Sequence, residues 1–425
     1  MREQPRFFYG WVVVATAAVG QLLGSIPIAV FAFGTFYPLF IRQFHASRSA
    51  ISLAFTIHNL ISGMLAVFAG FLCDRFGVRK VILPGLATLG VVLLSAETIG
   101  SKVWQLYIFY AALGIVAPAT NSVPYGLVVS RWFNRRRGLA LGTMMVGLGG
   151  GAIVMPLLAQ RLIASFGWRA AFAIVGGLVL LFPLPIVGTW LKETPEQIGV
   201  LPDAAPPTGA PSFAPDSSEG MAWREIWHSG TFWLMIAAFV LVAASVHACI
   251  IHMPELFADR RASLNTVASA TSALGLAVLL GRIGTGYLLD RYFGPHVALF
   301  IFASAGLGIA LLRIGNTGLP ALVGAFLVGL GFGAEVDIIA YLMGRYFGLC
   351  SLGTAFGFAF SAFVLAGGLG PLIMGFAFDR TGSYGVPLSG FSVATLAAAA
   401  LVSRMGPYRY AVVRKVENEI PLNEA

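Results

Sequence analysis

Charged residues are scarce in this chain. Of its 425 residues only 11% are Asp, Glu, Lys or Arg, whereas a soluble globular protein carries about 25%. Hydrophobic residues make up 58% of the chain, so there is too little charge to cover a water-facing surface. The composition therefore excludes an ordinary soluble domain and indicates that most of the surface faces lipid.

Cysteines are also few. Cys73, Cys249 and Cys350 lie far apart and in no metal-binding spacing, so we expect isolated thiols. The sequence shows no cluster of nucleophilic, metal-ligating or cofactor-binding residues. We therefore predict no metal, no cofactor and no enzymatic activity.

Long polar segments are missing as well, with one exception. A helix needs about 20 apolar residues to cross the hydrocarbon core of a bilayer. The one long polar interruption covers about 193–228, is rich in Pro, Ala, Ser and Asp, and is expected to be a flexible linker. Twelve apolar segments of sufficient length flank it, at 9–38, 48–73, 80–100, 104–130, 138–163, 168–191, 231–257, 264–289, 296–314, 319–343, 353–378 and 384–404.

This pattern predicts an all-α membrane protein with twelve transmembrane helices in two pseudo-symmetric six-helix bundles. We expect the first bundle at 1–192, a cytoplasmic linker at 193–228, the second bundle at 229–404 and a cytoplasmic tail at 405–425. We number the twelve apolar segments as spans one to twelve.

The basic residues indicate which loops face the cytoplasm. If both termini and the linker lie inside, that side holds 17 of the 27 Lys and Arg residues and the opposite loops hold nine. Because inside loops are enriched in Lys and Arg, we predict a multi-pass protein of the cell (inner) membrane with cytoplasmic termini. The basic loops suit anionic lipid headgroups, and nucleic acid is not an expected partner.

Two short segments recur at a half-chain spacing. The turn at 70–75, after span two, resembles the turn at 286–291, after span eight, with an offset of 216 positions. The loop at 131–142, after span four, resembles the loop at 345–357, after span ten, with offsets of 214 and 215. Two independent pairs with nearly the same offset indicate that one six-helix bundle was duplicated.

The duplicated turn resembles the signature loop of the major facilitator superfamily, and the resemblance covers essentially the whole chain. It implies a transporter with the twelve-helix fold of that family. An acid near a helix end and bases on the turn form a charge cluster that holds neighbouring helices in one state. A purely topological role would give the same pattern. The residues of this predicted latch are Gly70, Asp74, Arg75, Gly77 and Arg79, with Asp290 and Arg291 in the second copy.

Within the superfamily the chain resembles the monocarboxylate transporters and their bacterial relatives similar to oxalate/formate antiporters. The segment 8–11 (Phe-Tyr-Gly-Trp) opens span one, and Arg131-Trp-Phe marks the loop after span four. Arg282 lies in span eight, where the resemblance implies an arginine that binds the substrate carboxylate. The Asp that animal members carry four residues earlier is Val278 here, so their proton relay does not carry over.

An ionisable side chain inside the membrane costs free energy, so each such residue is a candidate for a functional role. Arg282 in span eight and Asp337 in span ten lie at similar depth, about 12 Å from the inner ends of their helices. Glu335 lies about 15 Å from the inner end of span ten. Asp337 and Glu335 point to different sides of the helix because they are two residues apart. We expect the planar guanidinium of Arg282 to bind a carboxylate, or else to pair permanently with one of the two acids.

Proton coupling would need a titratable group in the membrane. The acids Asp337 and Glu335 are the first candidates, followed by His58 in span two and by His247 and His252 in span seven. Each histidine could equally be a hydrogen-bonded packing residue.

The repeat also suggests polar contacts for the substrate. With the offset of 214, Asn121 in span four corresponds to Glu335 in span ten. The resemblance implies that spans one, four, seven and ten line the cavity. Asn121, Tyr125 and Ile28 are therefore candidate substrate contacts, the last because Gly24 and Pro27 weaken span one there. Ordinary packing and helix-kink roles are the alternative.

Three functions follow as hypotheses. The first is proton-coupled symport of small monocarboxylates such as lactate or pyruvate, by a transporter that works as a monomer. The second is an exchanger of organic anions of the oxalate/formate type, which we rank lower because there is one intramembrane Arg and not two. The third is a membrane enzyme or sensor, for which the chain offers neither clustered catalytic residues nor a sizeable soluble domain.

Overall fold

A computed structural model describes residues 8–133, 136–200, 220–315, 318–348 and 350–410. Within these ranges the chain is almost entirely helical and has no β-strand, only an isolated bridge between Gly220 and Gly348. Residues 201–219 of the predicted linker lie outside the described ranges, so the division of the chain into two domains stays a prediction. The described flanks of the linker contain a 3-10 turn, Pro195–Ile198, and a short helix, Trp223–Trp227.

The N-terminal half contains spans one to six. Their helices are Gly10–Leu22, a π-helical turn Pro27–Phe31 and Phe33–Phe44 in span one; Arg48–Phe76 in span two; Arg79–Leu94 and the 3-10 turn Ser95–Thr98 in span three; Val103–Thr120 and Ser122–Trp132 in span four; and Arg137–Leu181 with Pro183–Trp190 in spans five and six.

The C-terminal half contains spans seven to twelve as six continuous helices. These are Gly230–Asp259, Leu264–Arg291, Gly294–Ile314, Leu319–Phe347, Leu352–Thr381 and Gly385–Ser403. Spans two and eight extend a few residues beyond the apolar segments, so the turns at 70–75 and 286–291 lie within the last turns of their helices and not after them.

Eleven stretches of the described chain are long and apolar enough to cross a membrane. The longest, Leu139–Trp190, has 52 residues and would measure about 78 Å as one helix, far more than a bilayer needs. Gly167 interrupts it with a φ of 81°, a conformation that glycine adopts without strain. The stretch therefore forms spans five and six, and the predicted fold of twelve transmembrane helices is confirmed.

Spans one and four are interrupted near their middle. In span one the helix ends at Leu22, and a π-helical turn starts at Pro27, where the sequence indicated a weak point. In span four, predicted as one helix, Asn121 is extended with φ −81° and ψ 178°. The reason is Pro124, whose ring would clash with the carbonyl of Thr120 if the helix continued.

Each half has its own buried core. One cluster lies mainly in spans one to six and includes Trp132, Tyr110 and Phe172; the other lies mainly in spans seven to twelve and includes Phe232 and Phe257, and each takes in at least one residue of the other half. Large apolar side chains cover much of the outer surface, as expected where lipid is the solvent. Examples with more than half of the side chain exposed are Met64, Phe68, Leu181, Phe300 and Ile314.

The halves meet along two glycine-lined seams. We call the end at which residues 193–200 and 220–228 lie the linker end, and the opposite end the distal end. In the first seam, between spans two and eleven, a Cβ added at Gly375 would lie 2.8 Å from the Ser49 backbone nitrogen. Further down, a Cβ at Gly368 would lie 2.9 Å from Asn59 Cβ, so the two helices are in close contact here.

Both seams open toward the linker end. The register of spans two and eleven places Gly70 opposite Gly357, and a Cβ on either would meet no atom within 4 Å. The second seam, between spans five and eight, behaves alike. A Cβ at Gly149 would lie 2.8 Å from Leu279 Cδ1, whereas Gly142 and Gly286 have open space around them. The halves are thus closed at the distal end and apart at the linker end.

Candidate functional site

Arg282 lies on span eight at the point where spans five and eight part. Its Nη1 donates a hydrogen bond to Sδ of Met145 at 3.1 Å, and the side chain is half-buried. One turn nearer the linker end, a Cβ at Gly284 or Gly286 would meet no atom within 4 Å. A thioether sulfur is only a weak acceptor, so this guanidinium retains donors for an anion that enters from the linker end.

The two acids of span ten have different surroundings. Asp337 is half-buried, and the charge of Arg282 acts on its carboxylate. Glu335 is fully buried, and neither of its carboxylate oxygens has a hydrogen-bond partner. In the described chain three ion pairs are closer than 4.0 Å, and neither acid belongs to one. Of the two acids that the sequence placed near Arg282, Asp337 is the one that faces it.

The interruptions of spans one and four lie side by side. Ser122, at the start of the second helix of span four, donates to Gln21 Oε1 at 2.6 Å. Two polar atoms next to these breaks are buried without a partner, Oγ of Ser25 and Oδ1 of Asn121. Unpartnered polar atoms of this kind at helix breaks are typical of transporter sites near the membrane middle.

Tyr125 and Ile28 are more deeply buried than Asn121. The Tyr125 hydroxyl has no hydrogen-bond partner and packs on span one, where a Cβ at Gly20 would lie 2.2 Å from it. Ile28 is 1% exposed and belongs to the core of the N-terminal half. In this conformation both side chains lie beside the helix breaks and inside the N-terminal half, away from the space at the linker end.

Two of the three candidate histidines, His58 and His247, are buried in different halves. His58 lies against Tyr110 with ring centres 6.4 Å apart, and its Nδ1 has no partner. His247 donates from Nδ1 to the carbonyl of Ala243 at 2.9 Å and packs against Phe332 of span ten at 4.9 Å. The structure therefore does not bring the two histidines together, and only His247 lies next to the helix that carries Glu335.

The predicted latch loop is held by an acid of the linker. Gly77 has a φ of 93°, and the backbone N–H of Arg79 donates to Glu193 Oε1 at 2.8 Å. The same carboxylate lies 3.8 Å from Arg131, so two loops and the start of the linker share one charge cluster within the N-terminal half. The side chain of Arg79 donates to the carbonyl of Gly188.

The other latch residues are placed only in part. Arg75 and Arg291 are exposed and lie over neighbouring rings, Arg75 over Phe76 at 5.4 Å and Arg291 over Tyr287 at 4.2 Å. The side chains of Asp74 and Asp290 lie outside the described part of the structure. The latch itself therefore stays a prediction.

Sequence reasoning missed a charge cluster at the distal end. Arg48, at the start of span two, is 9% exposed although it belongs to a predicted outer loop. Its Nη2 donates to Glu255 Oε1 at 3.2 Å and to Asp259 Oδ1 at 2.8 Å, both on span seven. Its guanidinium lies 3.5 Å from the ring centre of Phe378 and 4.9 Å from that of Tyr384. We call these residues, together with Asp379, the distal cluster.

Asp379 completes the cluster through the main chain. Its carboxylate accepts the backbone N–H groups of Arg48 at 3.0 Å and of Ser49 at 2.9 Å, at the N-terminus of span two. An acid is favourable there because the first N–H groups of a helix lack partners and carry partial positive charge. Burial raises the pKa of the Tyr384 hydroxyl, so this ring stays a neutral donor.

A neutral network lies beneath the distal cluster. His252 Nε2 is 2.9 Å from the carbonyl of Pro371, which can only accept, so this nitrogen carries the proton. Its Nδ1 then accepts from the Tyr384 hydroxyl at 3.0 Å. Ser52 of span two lies 3.1 Å from the same imidazole, and Tyr37 lies 2.9 Å from Ser52. His252 is thus a structural contact between the halves.

A sequence signal for the distal cluster exists. Arg48, Glu255 and Asp259 lie near helix ends, where charges are ordinary, and Arg48 is far from the two acids in the chain. The spacing of Glu255 and Asp259, four residues apart on one helix face, would allow both to reach one cation. Nothing in the sequence indicates that this cation comes from the other half.

Comparisons with known proteins agree with this architecture. The chain is similar to monocarboxylate transporter 13 of Rattus norvegicus, with 24% identity over 90% of this chain and 85% of the relative. It is similar to monocarboxylate transporter 12 of Homo sapiens, with 28% identity over 93% and 81%. It also matches an uncharacterized MFS-type transporter, YcxA, of Bacillus subtilis, with 24% identity over 80% and 82%.

Solved structures show the same fold. A bacterial homolog of the human lysosomal transporter Spinster, in an inward-facing and unoccupied conformation, superposes with a TM-score of 0.64 and 17% identity, over 93% of this chain and 95% of that one. Its inward-facing and occupied form gives a TM-score of 0.65 and 18% identity, over 93% and 96%. The sequence profile of the Major Facilitator Superfamily matches residues 22–371. The chain is therefore a membrane transporter, not an enzyme, and belongs to the Major Facilitator Superfamily.

Proposed function

We propose that the chain is a secondary active transporter of small monocarboxylates similar to lactate or pyruvate, that it works by alternating access, and that Arg282 binds the carboxylate. The observation that carries the proposal is the position of the Arg282 guanidinium. It lies where the space that opens at the linker end begins, and its described hydrogen bond goes to the thioether of Met145. Planar guanidinium groups match carboxylates with two parallel donors. The names of the relatives support the same substrate class.

Proton coupling is part of the proposal. Glu335 is 0% exposed and has no hydrogen-bond partner on either oxygen. An unpaired carboxylate in a dry interior is costly, and binding a proton removes that cost. Asp337, beside Arg282, is placed to respond when an anion arrives. We assign the proton to this pair of acids of span ten, and we give His58 and His247 lesser roles because both are enclosed in helix packing.

The proposed orientation follows from the basic loops. With the linker end in the cytoplasm of the cell, 17 of the 27 Lys and Arg residues lie on the inner side. The open linker end then corresponds to an inward-facing state, from which a bound monocarboxylate and a proton leave to the cytoplasm. Asn121 and Tyr125, whose polar atoms have no partner beside the helix breaks, would make polar contacts with the substrate once the site closes around it, and Ile28 would contact its apolar part.

Uptake of labelled lactate into proteoliposomes tests the assignment of Arg282. We expect Arg282→Ala to lower uptake by about a hundredfold, because a charge-assisted bidentate contact contributes about 1.5–3 kcal/mol and orients the anion. Arg161→Ala, which removes an exposed arginine of span five, is the matched control and should retain uptake. Size-exclusion and thermal unfolding check that both variants fold. Unchanged uptake by folded Arg282→Ala would contradict the assignment.

The same proteoliposomes separate symport from exchange. For a proton symporter, an inward pH gradient accelerates uptake into empty vesicles. For an exchanger of the oxalate/formate type, uptake requires vesicles preloaded with anion and is indifferent to the gradient. Competition by unlabelled pyruvate, formate and oxalate then identifies the substrate class.

A further inference from the structure

Every described partner of the Arg48 side chain comes from the other half of the protein. Arg48 is on span two, whereas Glu255 and Asp259 are on span seven, and the rings of Phe378 and Tyr384 belong to span eleven and the turn after it. The guanidinium therefore makes its ion pairs and its ring contacts only while the halves touch at the distal end.

The main chain of the same region repeats this pattern. The carboxylate that accepts the first N–H groups of span two is Asp379 of span eleven. When the halves part at the distal end, span two loses this acid, and Arg48 loses two carboxylates and two rings at once.

The cluster carries more negative than positive charge. The carboxylates of Glu255 and Asp259 pair with the guanidinium of Arg48, the Asp379 carboxylate binds the backbone N–H groups of Arg48 and Ser49, and the next cation whose charge reaches Glu255 is Arg42. Arg48 Nη1 and Glu255 Oε2 are buried without partners. Because the acids repel one another, the guanidinium is the group on which closure depends.

We propose that Arg48 is the gating residue of the distal end: its ion pairs with Glu255 and Asp259 keep the distal pathway closed and must break in each transport cycle. The proposal rests on the alternating-access part of the proposed function. Opening transfers the separated charges into water, which lowers the cost of breaking the pairs compared with leaving one charge buried. The ion pairs are therefore a reversible contact.

A cysteine placed in the closed distal pathway reports on opening. Thr271 of span eight lines a cavity of about 20 Å³ between spans one, five, seven and eight, too small for a maleimide reagent. We would introduce Thr271→Cys into a Cys350→Ser background, because Cys350 is exposed. The rate of labelling by a membrane-impermeant maleimide is measured in proteoliposomes, and the background protein without Thr271→Cys gives the baseline.

The expected result separates an electrostatic gate from simple packing. Arg48→Gln should raise the labelling rate about tenfold or more, because it leaves Glu255 and Asp259 facing each other without a cation. Adding Glu255→Gln and Asp259→Asn to Arg48→Gln removes that repulsion but does not restore the ion pairs, so the labelling rate should fall only in part and stay above the parent value. Arg48→Lys keeps the charge and should give an intermediate rate.

Two outcomes would overturn the proposal. One is a labelling rate of Arg48→Gln equal to that of the parent; the other is a parental labelling rate of the triple variant, which would show that packing closes the distal pathway without the ion pairs. If Arg48→Gln does not fold, Glu255→Gln with Asp259→Asn tests the same contact, and a parental rate again overturns the gate. Labelling needs no substrate, so a failure of lactate uptake would count against the proposed function and not against this gate.

Discussion

At the distal end and at the linker end the protein uses charges differently. The distal cluster joins the two halves: Arg48 of one half is enclosed by carboxylates of the other. At the linker end the described charge cluster, Glu193 with Arg79 and Arg131, stays within the N-terminal half. Glycines line both seams over their whole length, in contact at the distal end and apart at the linker end.

Alternating access requires helices that can approach closely at either end and contacts that hold one end closed. The glycine seams meet the first requirement, and the charged contacts are suited to the second. Small residues let helices approach closely at either end, so shape alone favours neither state. Within the described part of the chain, the ion pairs between the halves lie at the distal end, which is the closed end in this conformation. The four predictions below test this division, beginning with the largest expected effect.

The distal seam can be forced apart by one side chain. Gly375→Leu would place a Cβ 2.8 Å from the Ser49 backbone nitrogen, and backbone does not move aside as a flexible side chain does. We expect a loss of about 1–3 kcal/mol in the free energy of unfolding, measured by thermal unfolding in detergent. Gly357→Leu is the control on the same helix, because it meets open space. Equal losses for both variants would contradict the seam.

The linker end should respond in transport and not in stability. Gly142→Leu combined with Gly357→Leu fills space that is empty here, so thermal unfolding should change little. If the seams close at the linker end in the outward-facing state, the added leucine side chains oppose that closure. Lactate uptake should then fall about tenfold, equivalent to about 1.4 kcal/mol against the closed linker end. Undiminished uptake would show that the seams do not meet there.

Glu193 should have a local effect. Glu193→Ala removes the acceptor of the Arg79 N–H and the partner of Arg131. The expected cost is about 1 kcal/mol, seen as faster hydrogen exchange in the loop at 77–80, with the distal reporter cysteine unaffected. Glu196→Ala, in the adjacent exposed turn, is the matched control and should leave the exchange rates unchanged.

Arg131 should have the smallest effect. Its nitrogen lies 3.8 Å from Glu193, and 36% of its side chain is exposed, so water and salt screen the pair. Arg131→Gln should cost less than about 0.5 kcal/mol in thermal unfolding, and 1 M salt should remove the difference. A loss as large as that of Glu193→Ala would mean that the ion pair, and not the capping hydrogen bond, holds the loop.

Much of the fold could be predicted because it depends on local composition. Twelve apolar segments, one polar linker and a repeat of 214 to 216 positions gave the number of helices and their division into halves. Span four shows the limit: its apolar residues are continuous, and the break at Asn121 depends on where Pro124 lies within the turn. Helix interruptions of this kind follow from individual side chains and not from average hydropathy.

The candidate site was only half predictable. The depth of Arg282 and Asp337 follows from counting residues along two helices, and the charge of Arg282 acts on the Asp337 carboxylate, although the two do not form an ion pair within 4.0 Å. Glu335, two residues before Asp337, is fully buried between helices. Its burial depends on how span ten is rotated against its neighbours. A sequence gives depth along a helix axis more readily than direction around it.

The sequence by itself determined that this chain lies in a membrane, that its two halves are related, and that one arginine lies deep in span eight. Hydrophobicity, charge scarcity and repeat spacing are local properties, and they need no contacts to be visible. Only the tertiary structure decided which end is closed and which charges meet there. Arg48 and its carboxylates are more than 200 positions apart, and their pairing exists only where the two halves meet.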